Sequence, residues 1–196
     1  MESILTILTI DFEASCLPRH GLSYPIEVGI AREGKARSWL IRPHDDWAGW
    51  HWSAEAEALH GLDRDRVERE GQPVETVLSE LADACAGRRM VADSMIDQYW
   101  LDTLADAAGQ ATPFLIDHVS LLLDEHRAGE RRIMEAVARA DALHPHRHRA
   151  ASDALWLSAL LDHVSGRTIH APDANGLAPV GKRGGSCPRR PQRENA

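Results

Sequence analysis

Two acidic residues follow directly on a hydrophobic stretch near the start of the chain. Residues 4–10 (ILTILTI) are apolar and rich in β-branched side chains, which predicts a buried strand, and Asp11 and Glu13 come next. Because strand side chains alternate, Asp11 and Glu13 would share one face and Phe12 the other. Neighbouring carboxylates raise each other's pKa, and a divalent cation would remove that cost. The alternative is that the strand ends at Asp11 and both acids are solvated loop residues.

A further aspartate lies after residues 88–92, which are predicted to form a short strand. Ser94 and Asp97 have the Ser-x-x-Asp spacing of a helix N-terminus, and residues 96–107 show helical periodicity. Capping of that helix, with a favourable contact to its dipole, is one interpretation of Asp97. A carboxylate at a helix start can also face a metal ion, so the two roles are compatible.

The last candidate residues are Asp153, near the start of a predicted helix at residues 149–164, and His148, five residues earlier. His144 and His146 precede them in a histidine-rich run, which could be a surface cluster or an adventitious transition-metal site. A histidine here could be a catalytic base, since this side chain titrates near neutral pH. It could equally be an ordinary surface residue.

The periodicity of the whole chain predicts an α/β protein. Besides the first, the predicted strands are residues 26–31, 36–41, 88–92 and 114–119, with a hairpin turn at Glu33-Gly34. The predicted helices are residues 53–59, 73–86, 96–107, 130–143 and 149–164. Three strands in a meander, followed by alternating helices and strands, predict a mixed sheet with helices packed on it.

Composition limits the class of protein. A chain of 196 residues suits one domain, placed here at residues 1–165, followed by a flexible basic Gly/Pro/Arg-rich tail at residues 166–196. Three scattered cysteines, Cys16, Cys85 and Cys187, do not form a disulfide framework. The chain shows neither a membrane span nor a signal peptide, so we expect a cytoplasmic protein. Its net charge of −8 argues against nucleic-acid binding through bulk positive charge.

The order of these motifs resembles the three exonuclease motifs of the DEDDh (DnaQ-like) 3′→5′ exonucleases, a family of the RNase H-like superfamily. The residues that carry the resemblance are Asp11, Phe12, Glu13, Asp97, Trp100, Leu101, His148 and Asp153. Similar flanking segments are residues 23–29 (SYPIEVG), 57–62 (EALHGL) and 71–73 (GQP). The resemblance covers about residues 4–164.

The second of the three motifs, which contains Asp97, departs from the family pattern. The family usually carries a His-Asn pair ahead of the aspartate, whereas residues 92–95 here are ADSM, so Asp93 and Asp97 compete for the position. Trp100 follows Asp97 at the expected offset, which favours Asp97. His148 is favoured over His146 because the spacing to Asp153 fits the family only from His148.

The resemblance implies an RNase H-like mixed five-stranded sheet flanked by helices, and a metal centre. Asp11, Glu13, Asp97 and Asp153 would bind two Mg²⁺ or Mn²⁺ ions. Asp11, Glu13 and Asp153 would hold the ion that binds the attacking water. Asp11 would also reach the second ion, and Asp97 would act largely through water. His148 would be the general base.

The same resemblance implies a nucleic-acid 3′ end as substrate, single-stranded more readily than duplex, and nucleoside 5′-monophosphates as products. It assigns substrate binding to four residues, which are Phe12, Ala14, His60 and Trp100. Trp47, Trp50 and Trp52 could stack on unpaired bases or bury the edge of the sheet. The choice between DNA and RNA, and whether the protein is a homodimer, stay open.

Two rival functions are compatible with the same sequence. One is a non-catalytic nucleic-acid or protein-binding module on the same fold, against which the filled catalytic positions argue. The other is a hydrolase of very short oligonucleotides.

Overall fold

The computed structural model describes residues 6–167, which form a five-stranded mixed sheet with helices on both faces. The strands are β1 (Thr6–Ala14), β2 (Pro25–Arg32), β3 (Lys35–Leu40), β4 (Arg88–Ala92) and β5 (Ile116–His118). The helices are α1 (Ala54–His60), α2 (Arg64–Glu70), α3 (Val74–Cys85), α4 (Ile96–Ala107), α5 (Val119–Glu125), α6 (Glu130–Leu143) and α7 (Ala150–Ser165). Short 3-10 turns lie at Pro18–His20 and Asp45–Trp47. Within residues 6–167, no helix combines the length and apolar character needed to cross a membrane.

The sheet has the order β3-β2-β1-β4-β5. Strands β1, β2 and β3 form an antiparallel meander, whereas β4 and β5 run parallel to β1. The predicted mixed sheet with flanking helices is therefore confirmed. The hairpin at Glu33-Gly34 is also confirmed, and both residues have the positive φ that a two-residue type I′ turn requires.

The helices α2 and α5 were not predicted from the sequence. Each has seven residues and buries a single apolar side chain, Val67 in α2 and Leu122 in α5. Two turns with one buried residue give no periodic signal. The predicted tail lies outside the described residues except for Gly166 and Arg167, and Cys187 lies outside them as well.

Strand β1 continues through Asp11 and Glu13, so the interpretation of these acids as loop residues is wrong. Its alternate apolar residues pack into the core that also contains α3 and α4, and they are Leu8, Ile10, Phe12 and Ala14. Thr9 faces the opposite layer, where its hydroxyl donates to the carbonyl of Ala154 in α7 at 2.7 Å. Because side chains alternate, Asp11 and Glu13 lie on the α7 side of the sheet, opposite Phe12, as predicted.

The start of α7 lies directly against β2 because Gly29 has no side chain. Gly29 is the cross-strand partner of Asp11, and a Cβ atom at this position would overlap the backbone of Ala150 and Ala151. The first turn of α7 is thereby held beside Asp11. This close approach brings the start of α7 to the end of β1.

We predict that Gly29→Ala lowers the free energy of unfolding by about 1–3 kcal/mol, because α7 must move away from the sheet. Urea denaturation followed by circular dichroism would measure the change. The control is Gly129→Ala, since Gly129 has a negative φ and no atom near its Cβ position. Equal effects of the two substitutions would show that the close approach at Gly29 does not constrain α7.

Candidate metal centre

Five carboxylates, distant in the sequence, meet where β1 and β4 end. They are Asp11 and Glu13 on β1, Asp93 after β4, Asp97 in the first turn of α4, and Asp153 in the first turn of α7. One oxygen from each of Asp11, Glu13 and Asp153 lies within 4.8 Å of the other two, and the same holds for Asp11, Asp93 and Asp97. Asp11 belongs to both groups, so the two form one continuous acidic centre.

Asp97 is fixed by a hydrogen bond to β1 and does not cap its own helix. Its Oδ1 accepts the backbone N–H of Phe12 at 3.1 Å. The N-cap position of α4 is Met95, and the hydroxyl of Ser94 accepts the N–H of Ile96 at 3.2 Å. The interpretation of Asp97 as a capping residue is therefore wrong, and its carboxylate instead ties α4 to β1.

The second oxygen of Asp97 lacks a hydrogen-bond partner. The residue is 2% exposed, and no atom of residues 6–167 bonds to its Oδ2. A buried acceptor without a partner is costly, so native structures rarely leave one. Carboxylate oxygens are the ligands that Mg²⁺ and Mn²⁺ prefer, and the carboxylates of this centre therefore fit divalent cations.

The electrostatics of the centre also favour a cation. Burial, and then the negative charge of Asp97, raises the pKa of Asp11 well above its usual range. Burial, followed by the charges of Asp153 and Glu27, raises the pKa of Glu13 from 4.5 to about 8. Burial and the charge of Asp93 raise the pKa of Asp97. The carboxylates resist ionising together, and a divalent cation would relieve their repulsion.

The turn before α7 places His148 and Arg147 around Asp153. The backbone N–H of His148, which has a φ of +68°, donates to Oδ2 of Asp153 at 2.8 Å, and Nε of Arg147 donates to Oδ1. The guanidinium of Arg147 also lies over the ring of Trp156, 4.1 Å from its centre. His148 itself is exposed.

An ion pair between the buried Glu27 and the partly exposed Arg149 was not predicted from the sequence. Glu27, which is 1% exposed and pairs across strands with Glu13, accepts two hydrogen bonds from Arg149 at 2.7 and 2.8 Å. It also accepts the N–H of Ala150 at 3.2 Å, which anchors the start of α7. A single glutamate in an otherwise apolar strand was the available sequence signal.

The four residues predicted to bind substrate are all buried, and they are Phe12, Ala14, His60 and Trp100. The indole of Trp100 donates to the hydroxyl of Ser23 at 3.1 Å, so its ring packs into the core. Nδ1 of His60 accepts the N–H of Leu62 at 3.1 Å, which leaves the proton on Nε2. Nε2 is itself buried and has no hydrogen-bond partner within residues 6–167.

The remaining aromatic and histidine candidates lie outside the two carboxylate groups. Trp47 is buried and stacks on Tyr24 with ring centres 5.2 Å apart, and Trp50 and Trp52 pack against the same core. The indole of Trp52 donates to Glu57 at 2.6 Å. These tryptophans therefore pack against the hydrophobic core, which favours the structural interpretation over base stacking. His144 is half-buried and His146 exposed, and neither belongs to a carboxylate group.

Comparison with known proteins gives a likeness in three dimensions only. No protein-family model matches the sequence, and no curated protein matches it. A full-length 3′-exonuclease structure is similar, with 17% identity, a TM-score of 0.59 and coverage of 90% of this chain and 91% of that one.

Structures of exonuclease I are similar as well. The Escherichia coli enzyme in complex with a dT13 oligonucleotide has 12% identity and a TM-score of 0.62, with 83% of this chain and 41% of that one covered. Exonuclease I from Methylocaldum szegediense has 13% identity and a TM-score of 0.59, with 81% and 40% covered. This chain thus spans about two fifths of the exonuclease I chains. The fold is the RNase H-like fold of these exonucleases.

The raised pKa of Glu13 predicts a pH dependence of stability in EDTA. Between pH 4.5 and about 8 the folded protein retains a proton that the unfolded chain has released. Stability contributed by this group therefore falls as pH rises through that window. The thermal midpoint of the wild type should fall more steeply from pH 5 to 8 than that of Glu13→Gln, which cannot ionise. If the thermal midpoints of the two proteins fall equally with pH, the pKa of Glu13 is not raised in the folded protein.

The ion pair of Glu27 and Arg149 predicts a large loss of stability when Arg149 is replaced. Arg149→Met leaves the carboxylate of Glu27 buried without a counter-charge, and we expect a loss of about 3 kcal/mol in unfolding free energy. The control is Arg131→Met, which breaks an exposed pair with Glu135 and should cost less than about 1 kcal/mol. Urea denaturation measures both. Similar losses would mean that the Glu27–Arg149 pair does not anchor α7.

Proposed function

We propose that the protein is a metal-dependent 3′→5′ exonuclease of the DEDDh type that acts on single-stranded nucleic acid. One observation carries this proposal: carboxylates from β1, α4 and α7 form two groups that share Asp11, and within each group the oxygens lie within 4.8 Å of one another. Asp11, Glu13, Asp97 and Asp153, the acids that the sequence motifs single out, all belong to this centre. Such a centre suits phosphodiester hydrolysis, in which negative charge develops on the reacting phosphate.

The structural neighbours support the proposal at the level of the fold. The similar structures are a 3′-exonuclease and exonuclease I enzymes, one of them in complex with a dT13 oligonucleotide. Because one fold can host several functions, the site has to carry the functional argument. The direction of digestion, the polymer and the metal requirement are therefore proposals about this chain's own residues.

The acidic centre divides into two ligand sets that share Asp11. Asp11, Glu13 and Asp153 would hold one Mg²⁺ or Mn²⁺ ion, and Asp11 would also reach the other, on which Asp97 would act largely through water. When bound, the two ions would lower the pKa of the attacking water and stabilise the departing 3′ oxygen. Asp153 is oriented for this role by the N–H of His148.

His148 would accept the proton of the attacking water. The residue is exposed and its backbone N–H donates to Asp153, a proposed metal ligand, so the imidazole would be available to a substrate that enters the site. Neutral histidine is the side chain suited to proton removal near pH 7. The neighbouring guanidinium of Arg147 offers positive charge for the substrate phosphate.

We assign a nucleotide-binding role to the backbone around Phe12 and Ala14 and to the Nε2–H donor of His60. Trp100 would act from behind them by supporting Ser23. The product of each cycle would be a nucleoside 5′-monophosphate from the 3′ end.

A labelled-substrate assay tests the function. Single-stranded DNA and RNA of several lengths, labelled at the 5′ end, are incubated with the protein in Mg²⁺, Mn²⁺ or EDTA. We expect a ladder of shortened products that keep the label, formed only with metal, with 5′-monophosphates identified by chromatography. Asp11→Asn should abolish the activity, and His148→Ala should reduce it about 10²- to 10⁴-fold.

The control variant is Asp106→Asn, which changes an exposed aspartate on α4 outside the acidic centre and should leave activity unchanged. No metal-dependent shortening of any substrate would favour a non-catalytic binding module. Activity confined to dimers and trimers would favour a hydrolase of very short oligonucleotides.

A further inference from the structure

Asp93 is the acidic residue of the centre that the exonuclease motifs do not assign. It is the first residue after β4, and its carboxylate lies within 4.8 Å of ligand oxygens of both Asp11 and Asp97. In the motif resemblance, Asp93 and Asp97 compete for one position. In the structure they face the same point from the loop and from the helix.

We propose that Asp93 is a ligand of the second divalent cation, alongside Asp11 and Asp97. This inference rests on the proposed function and adds to it a third carboxylate at the ion that the motifs leave with Asp11 and a water-mediated Asp97. The ligand class is a hard divalent cation, Mg²⁺ or Mn²⁺.

The unpartnered Oδ2 of Asp97 is an independent indication of a ligand at this point. It is buried, it belongs to the same group of acids as Asp93, and the described chain supplies it with no donor. Oδ1 of the same carboxylate is already used by the N–H of Phe12. A cation held between Asp11, Asp93 and Asp97 would satisfy Oδ2 without breaking that bond.

The backbone of Asp93 is held in place from β5. Nδ1 of His118 accepts the N–H of Ser120 at 3.2 Å, so the proton is on Nε2, which donates to the carbonyl of Asp93 at 3.0 Å. The neighbouring Ser94 serves the start of α4. The side chain of Asp93 is exposed and is not the N-cap of the helix, so a local structural role does not account for an acid here.

A third carboxylate changes the second cation site in a definite direction. Removing a negatively charged ligand weakens binding of a divalent cation. In the metal-free protein the same charge adds repulsion, because a carboxylate oxygen of Asp93 lies within 4.8 Å of oxygens of Asp11 and Asp97. Asp93 should therefore destabilise the metal-free protein and strengthen the metal-bound one.

Mn²⁺ binding to Asp93→Asn tests the inference without any substrate. Isothermal titration calorimetry on the full chain should show two binding events in the wild type, of which one weakens at least about 10-fold in Asp93→Asn. Asp93→Glu should restore most of the affinity, and Asp106→Asn, the control on α4, should match the wild type. In thermal unfolding, Asp93→Asn should raise the midpoint in EDTA and reduce the increase produced by Mn²⁺.

Unchanged stoichiometry and affinity in Asp93→Asn would overturn the inference. If the wild type still binds two Mn²⁺ ions and shortens labelled strands, the proposed function stands and only the role of Asp93 is lost. If the wild type and Asp11→Asn bind Mn²⁺ alike and neither shortens a strand, both the role of Asp93 and the proposed function are wrong.

Discussion

The mutual repulsion of carboxylates in a poorly solvated site is the constraint on which the structure depends. Asp11 lies at the centre of that repulsion, because Glu13 on the same strand and three acids from β4–α4 and α7 all act on it. Charges in such surroundings cannot be screened by water as they are at the surface. The fold must therefore hold the acids together against their own electrostatics, and only a strong counter-charge makes the arrangement favourable.

Three local devices hold the acids in position. The bond from the N–H of Phe12 to Asp97 joins α4 to β1, and the absence of a side chain at Gly29 lets α7 reach the same strand. The buried pair of Glu27 and Arg149 fixes where α7 begins. Each device uses a backbone group or a buried charge near the acids. The same contacts therefore position the acids and stabilise the packing of α4 and α7 on the sheet.

Positive charge is already present at one side of the centre. Arg147 contacts Asp153 and lies over Trp156, and Arg149 neutralises Glu27 directly behind Glu13. Around Asp97 the described chain supplies only the N–H of Phe12 to one of its two carboxylate oxygens. Burial raises the pKa of Asp93 and the charge of Arg147 opposes that rise, whereas Oδ2 of Asp97 has no partner within residues 6–167.

The sequence by itself determined most of the strands and helices and which acidic residues are the candidate metal ligands. Apolar alternation and capping residues are local signals, so they predicted the five strands, the longer helices and the placement of Asp11 and Glu13 on one strand face. Tertiary structure decided what local patterns do not encode. The role of Asp97 as a tie to β1, the pairing of Glu27 with Arg149, and the arrival of Asp93 beside Asp11 all join residues far apart in the chain. Long-range contacts depend on how the helices pack on the sheet. The periodicity of a single sequence reports local structure only, so it does not predict these contacts.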